Sequence, residues 1–251
     1  MMNNMYAFVK TTKGNFPNVN FYLAWKGLTE MNYDVIKFEE EDLTEEFIRN
    51  VGDLTPVYAG VTVFDKVLKL KGIDYKKIDT YPTILHSFLN RNITKSTIGE
   101  FRKVWEKNED NVPRLFMKPV EQKKFNGHVM KSILDWMPLV HLPDNTEVYL
   151  ADELHFISEF RVYIQDQEII TAKHYAGEWD KMINQDIVKE AIRTFAPEAP
   201  CAYALDFGVD TNGQTTLIEF NDATSLGSYG LDSIHYAEML ASRWVEICNN
   251  R

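Results

Sequence analysis

Residues 202–222, AYALDFGVDTNGQTTLIEFND, have the pattern of a β-hairpin. Asn212-Gly213 is the dipeptide favoured by a two-residue type I′ turn, whose two central residues both need positive φ. With that loop Thr211 faces Gln214, and Asp206 lies directly opposite Glu219. Asn221 is two residues beyond Glu219 and points to the same face. The other face sets Leu205 against Phe220, Phe207 against Ile218 and Val209 against Thr216. A longer loop shifts the register and undoes the pairing.

Two carboxylates opposite each other on a sheet repel and weaken the pairing. A hard divalent cation such as Mg²⁺ relieves that repulsion, and two carboxylates with an amide oxygen are a donor set it accepts. Without a cation, the same residues are the solvated polar face of an edge hairpin. The hairpin alone leaves both readings open.

Composition narrows the class. At 251 residues the chain can bury a good core, as one larger domain or two small ones. A hydrophobic content of 45% and a charged content of 25% are those of a soluble globular protein. No apolar run reaches the length of a membrane span. The opening MMNNMYAFVKTTKG has no apolar h-region, so a cytoplasmic location is expected. The two cysteines, Cys201 and Cys248, form no metal or disulfide pattern and are expected to be reduced. A net charge of −10 argues against a general nucleic-acid or anionic-membrane binder.

The first 78 residues read as strand, helix, strand, helix, strand and helix, a small α/β unit with a parallel sheet. Residues 5–10 and 33–38 are strands, and residues 20–28 and 43–51 are helices. Residues 56–63 are apolar enough for a third strand, and a last helix ends near Gly72. Residues 74–82 read as a connection. Residues 84–89 and 98–105 are helical, and 105–111 are charged and expected to be exposed.

Residues 114–119, RLFMKP, form a strand that carries Lys118 before Pro119 ends regular pairing. A basic turn with Lys123 and Lys124 follows. Residues 147–150 alternate as a strand that leads to Asp152 and Glu153. In residues 159–164, Phe160, Val162 and Ile164 face one way, and Glu159, Arg161 and Tyr163 face the other. Taken singly, Lys118 is an exposed lysine, the acids sit in a connecting turn, and Arg161 pairs with Glu159 at little gain. Lys173 and His174 end the next strand, residues 183–196 form a helix, and residues 234–247 form a closing amphipathic helix. Residues 222–231, DATSLGSYGL, are small and polar, suited to a loop lining a substrate site.

The ordered set of Lys118, basic turn, acidic hinge, Arg161, Lys173, Asp206 and Glu219-x-Asn221 resembles the ATP-grasp family, over residues 114–222. It most resembles the short, poorly characterised ATP-grasp proteins of bacteria and their phages. The fold class implied is α/β (α+β): a small N-terminal α/β domain, residues 1–78, and an ATP-grasp domain, residues 79–251. Within the latter, a lid subdomain (112–150) and a C-terminal metal-binding subdomain (151–251) clamp ATP.

The resemblance places Asp206, Glu219 and Asn221 on Mg²⁺, and Lys118 with Lys123 or Lys124 on the phosphates of ATP. It places Glu153, or else Asp152, near the ribose. Arg161 and Lys173 would contact the reacting phosphate or the acceptor carboxylate, for which a planar guanidinium is well shaped. The implied activity is an ATP- and Mg²⁺-dependent carboxylate–amine ligase acting through an acylphosphate on an amino acid, peptide or protein. The alternatives are a phosphotransferase on the same fold and a nucleotide-binding regulatory module without turnover. Neither nucleic acid nor membrane is an expected partner, and oligomeric state is left open.

Overall fold

A computed structural model describes residues 5–107, 114–121 and 124–249. The chain divides into two compact units. One joins residues 1–88 to residues 157–251, and the other is the intervening segment 89–156.

The first unit begins with β1 (Met5–Lys10), α1 (Val19–Glu30), β2 (Tyr33–Phe38), α2 (Glu45–Asn50), β3 (Val57–Tyr58) and α3 (Val61–Leu70). The strands form a parallel sheet in the order β2-β1-β3. Asn18 caps α1 by accepting from the Asn20 amide, and Thr44 caps α2 by accepting from Phe47. The expected third strand, 56–63, is shorter than its apolar run. The chain turns at Gly60, and Val61 and Val63 enter α3, where Val63, Phe64, Val67 and Leu68 are buried. A short apolar run alone does not separate strand from buried helix.

The intervening unit contains β4 (Ile93–Thr97), α4 (Ile98–Lys107), β5 (Leu115–Pro119), β6 (His128–Met130), α5 (Ile133–Trp136) and β7 (Glu147–Asp152). Its sheet runs β4-β7-β5-β6 and is antiparallel throughout. Polar β4, ITKST, carries no strand-like apolar alternation, and its pairing with β7 is what makes it a strand. Residues 83–88 form a 3₁₀ turn where a helix was expected. Trp105, expected exposed, is buried among Phe101, Trp136 and Met117, and its ring stacks on Trp136 at 6.2 Å. α4 turns Phe101 and Trp105 inward at i, i+4.

The first unit resumes with β8 (Phe156–Gln165), β9 (Glu168–Gly177), α6 (Gln185–Phe195), β10 (Ala202–Asp210), β11 (Thr215–Asp222) and α7 (Ser233–Asn249). Its sheet has the order β11-β10-β8-β9, with β10–β11 and β8–β9 antiparallel. Of the two hairpins, β10–β11 departs from expectation at its turn. Asp166 and Gln167, between β8 and β9, take φ of 50° and 68°, so the two-residue turn with positive φ at both positions lies here.

The β10–β11 loop is longer. Asp210 N–H donates to Gln214 O, Gly213 takes φ of 79°, and the Asp210 carboxylate accepts from the amides of Asn212 and Gln214. This is a three-residue loop with glycine at its left-handed position. It shifts the outer pairing by one, so Phe207 faces Leu217 and Val209 faces Thr215. A β-bulge between Asp206 and Phe207 then restores the original register. Asp206 therefore faces Glu219, and Leu205 faces Phe220, despite the longer loop.

α7 returns to the N-terminal segment and crosses α1 at Gly27. A Cβ on Gly27 would lie 1.8 Å from Ser233 O and 2.7 Å from the Ala237 Cβ. The two helices bury Ala24, Leu28, Tyr236, Ala237 and Leu240 in one core cluster. Gly27→Ala is expected to cost about 2 kcal/mol or more, because separating the helices outweighs the gain in helix propensity. Urea unfolding of the variant checks this; a midpoint equal to the parent's would show that the crossing adjusts freely.

Candidate functional site

The sheet β11-β10-β8-β9 carries one row of charge across its four strands. Glu219 on β11 faces Asp206 on β10, and Arg161 on β8 faces Lys173 on β9. The two halves meet where Arg161 donates from Nε and Nη2 to the two carboxylate oxygens of Asp206, both at 2.7 Å. Residues opposite each other on neighbouring strands point to the same face, so all four side chains share one. Asp206 and Arg161 are almost fully buried, at 3% and 5% exposure. Pairing and hydrogen bonding are what make two such buried charges tolerable.

Burial pushes the Asp206 carboxyl up to about 6, against the hydrogen bonds and charge of Arg161, and the carboxylates of Glu219 and Glu159 push the same way. Burial also acts against the Arg161 charge, but Asp206 outweighs it and holds the guanidinium above its ordinary value. The Tyr175 hydroxyl is raised by burial, then by the charges of Asp206 and Glu159 and by a hydrogen bond to Glu159.

The same arginine holds the loop after β11. Its Nη1 donates to Gly227 O at 3.3 Å, and the Tyr229 ring lies 4.7 Å from its guanidinium carbon. Tyr229 stacks on Tyr175 at 4.7 Å and has a φ of 37°. Tyr163 donates to the carbonyls of Gly227 and Ser228. Asn20 of α1 accepts from the amide and hydroxyl of Ser228. Tyr236 donates to Leu226 O and shares a hydrogen bond with Tyr58 at 2.9 Å. Loop 222–231 is therefore fixed at several points by β8, α1 and α7.

Asp222, the last residue of β11, has its own cation. Arg243 of α7 donates to both of its oxygens at 2.9 Å and to Glu246 at 2.6 Å. Tyr75 donates to the same carboxylate, and its own hydroxyl is raised by burial and by Asp222. Glu246 accepts from the Cys201 amide. The Phe220 amide donates to Thr80 O, so the connecting segment 74–82 lies against β11. Sequence reasoning missed Arg243 and Tyr75. Helical amphipathicity gives no signal for a buried arginine whose partner is distant in sequence.

The residues expected to hold Mg²⁺ fit a hard cation. Asp206 and Glu219 are opposite one another, and Asn221 follows on the same strand. The Asn221 Nδ2 is buried with no hydrogen-bond partner, so this N–H donor calls for an acceptor such as a phosphate oxygen, while a cation would be ligated by the amide oxygen. Each Asp206 oxygen keeps a second lone pair beyond its Arg161 bond. Among the described residues no three His, Cys, Asp or Glu side chains converge as a metal cluster, so the set needs the amide as its third donor.

The remaining expected site residues lie in the unit 89–156. Lys118 sits on β5 opposite Tyr149, half-buried. Glu153 receives a bidentate contact from Arg114 at 2.8 and 3.0 Å and lies 3.6 Å from Lys131. Asp152 accepts from the backbone and side chain of Asn92, which anchors the start of β4. Lys124 pairs with Glu121 at 3.1 Å, and Lys123 lies outside the described residues. Among the described residues no helix is long and apolar enough to cross a membrane.

Residues 88–239 match the model of an ATP-grasp domain, the second family of its clade. No curated protein matches the chain. Solved structures share its fold at low identity. The D-alanine–D-alanine ligase of Bacillus anthracis superposes with a TM-score of 0.61 at 13% identity, covering 98% of this chain and 99% of that one. The ATP-grasp ligase PsnB, solved with a precursor peptide and AMPPNP, gives 0.55 at 12%, over 97% and 99%. The N5-carboxyaminoimidazole synthetase of Staphylococcus aureus gives 0.61 at 10%, over 96% and 80%.

The Asp222 cluster makes a stability prediction separate from the charged row. Arg243→Met leaves Asp222 buried without its cation and is expected to cost about 3 kcal/mol. The double variant Arg243→Met/Asp222→Leu should recover most of that loss. A double variant no more stable than the single one would show that the pair is not the source of the cost; thermal unfolding of all three chains decides.

Proposed function

The chain belongs to the ATP-grasp domain proteins, and on that premise we propose that it is an ATP- and Mg²⁺-dependent carboxylate–amine ligase. The observation that carries this reading is the row of Glu219, Asp206, Arg161 and Lys173 across four adjacent strands, with Asn221 beside it. Such a row has acids to hold a cation and bases to hold anions, arranged side by side. A peptide acceptor is part of the proposal, supported by the precursor peptide held by PsnB.

In the proposed reaction a substrate carboxylate oxygen attacks the γ-phosphorus of ATP and the bond to the β-phosphate oxygen breaks. ADP leaves, and an acylphosphate remains. An amine then attacks the acyl carbon, phosphate departs, and the amine loses a proton as the amide forms. Mg²⁺ bound by Asp206, Glu219 and Asn221 would supply charge neutralisation for the phosphate oxygens.

Lys173, facing Arg161 across the β8–β9 pair, is assigned to the acceptor carboxylate. Arg161 sets the position of Asp206 and of loop 222–231, as well as supplying charge beside the acceptor. The loop's small residues Ala223, Ser225, Gly227, Ser228 and Gly230 leave space for an acceptor. It contains no His or Cys to act as a covalent nucleophile. Lys118, with Lys123 or Lys124, is assigned to the polyphosphate, and Glu153 or Asp152 to the ribose. The protein's work is positioning and charge neutralisation.

Purified protein should gain thermal stability from millimolar Mg-ATP by mass action. With a carboxylate and an amine both present, ADP and phosphate should appear in equal amounts, and hydroxylamine should trap the acyl group as a hydroxamate. Stable transfer of the γ-phosphate without amide or hydroxamate would instead identify a phosphotransferase. Glu219→Gln should fold like the parent, since it removes one of two facing carboxylates, yet lose turnover by roughly 100-fold. Parent-like turnover in that variant would remove the hairpin from the active site.

A further inference from the structure

Arg161 occupies the carboxylate that the proposed metal needs. Both Asp206 oxygens accept from it at 2.7 Å, and both side chains are buried away from water. It also makes a 3.3 Å bond to Gly227 O and lies against the Tyr229 ring face. These two contacts belong to loop 222–231, so one side chain joins the metal-binding strand to the loop proposed to border the acceptor. Tyr229 keeps a positive φ within this arrangement, a costly conformation for a bulky residue that persists only while its neighbours hold it.

We propose that Arg161 is the resident counter-cation of Asp206 and is exchanged for the divalent ion, and that its departure releases loop 222–231. The proposal rests on the metal site assigned above.

Each Asp206 oxygen keeps a lone pair, yet two cations on one buried carboxylate repel each other strongly because little solvent screens them, so charge rather than lone-pair number sets the competition. Asp206 is shared by the Arg161 fork and the proposed cation site, with Glu219 directly opposite it, so a divalent ion binding there competes with the guanidinium for the same two oxygens. Asp206 can yield one oxygen or both, and in either case the fork that fixes the guanidinium plane is broken. Gly227 O then loses its Arg161 bond and Tyr229 loses its cationic neighbour, while Tyr163 keeps the carbonyls of Gly227 and Ser228 within reach. The loop loosens without being lost. The acceptor side thereby senses the metal on the nucleotide side, and metal–nucleotide binding precedes productive acceptor binding.

The test measures metal binding rather than turnover. Mn²⁺ is titrated into the parent, Arg161→Gln and Arg161→Lys and followed by electron paramagnetic resonance, with and without ATP. Arg161→Gln removes the competing cation and should bind Mn²⁺ about tenfold more tightly than the parent, on the scale of one charge-assisted hydrogen bond. Its melting temperature should also rise more with Mn²⁺ than the parent's does. Arg161→Lys keeps the charge but bonds through a single nitrogen, so its affinity should fall between the two.

If Arg161→Gln does not fold, Arg161→Lys decides alone. Affinities equal to or weaker than the parent's overturn the exchange even when the parent binds Mn²⁺ with ATP. A parent that binds no Mn²⁺ even with ATP removes the metal site itself, and the exchange with it. The link to the loop is read by hydrogen exchange. Residues 227–229 of the parent should exchange faster with Mn²⁺ and AMPPNP than without; unchanged or slower exchange there overturns the coupling.

Discussion

The buried pair of Arg161 and Asp206 is the constraint from which the rest of the C-terminal sheet follows. A carboxylate at 3% exposure has no water to solvate it, so the fold must bring a donor to it. The guanidinium matches both oxygens at once, which fixes its plane as well as its distance. That fixed plane gives the Tyr229 ring a surface to cover and Gly227 O a donor to accept from. Neighbouring strands β8 and β10 are thus held together by charge as well as by their backbone ladder. Glu219 and Lys173 extend the row to the outer strands.

Loop 222–231 illustrates how a polar, glycine-containing segment can be well positioned without regular structure. Its first residue is held by Arg243 and Tyr75, its middle by Tyr163, Arg161 and Asn20, and its Leu226 carbonyl by Tyr236. Three of these residues are tyrosines that bury an aromatic body while delivering a hydroxyl, which suits a site needing both packing and hydrogen bonds. Catalytic groups held within a fraction of an ångström require that kind of support.

Much of the architecture was legible because its elements carry local signals. Alternation located β2, β5, β7 and β8, and the hairpin pattern located β10 and β11 with the opposition of Asp206 and Glu219. That opposition holds for a reason the pattern did not contain. The Thr211-Asn212-Gly213 loop is one residue longer than a type I′ turn, and the bulge at Asp206/Phe207 compensates. A two-residue turn joins β8 to β9 at Asp166-Gln167, within the polar stretch QDQ that reads as a turn without a glycine. β4 was illegible because only its partner β7 makes it a strand. The polar side-chain partners were the least legible. Nothing local in the sequence tells that Arg161 pairs with Asp206 forty-five positions on, or Arg243 with Asp222 and Tyr75.

The crossing of α1 and α7 has a consequence for how the chain comes into being. α1 lies near the start of the sequence and α7 at its end, and Gly27 meets Ser233 across nearly the whole chain. Synthesis proceeds from the N-terminus, so the apolar face of Ala24 and Leu28 emerges long before Tyr236, Ala237 and Leu240 exist to cover it. The segment 89–156 has its own core, so its strands can pair while that face still waits. Contacts so distant in sequence carry a loop-closure cost that slows their formation. The nascent protein therefore spends part of its life with an uncovered helix, a state in which aggregation or chaperone capture competes with completion of the fold.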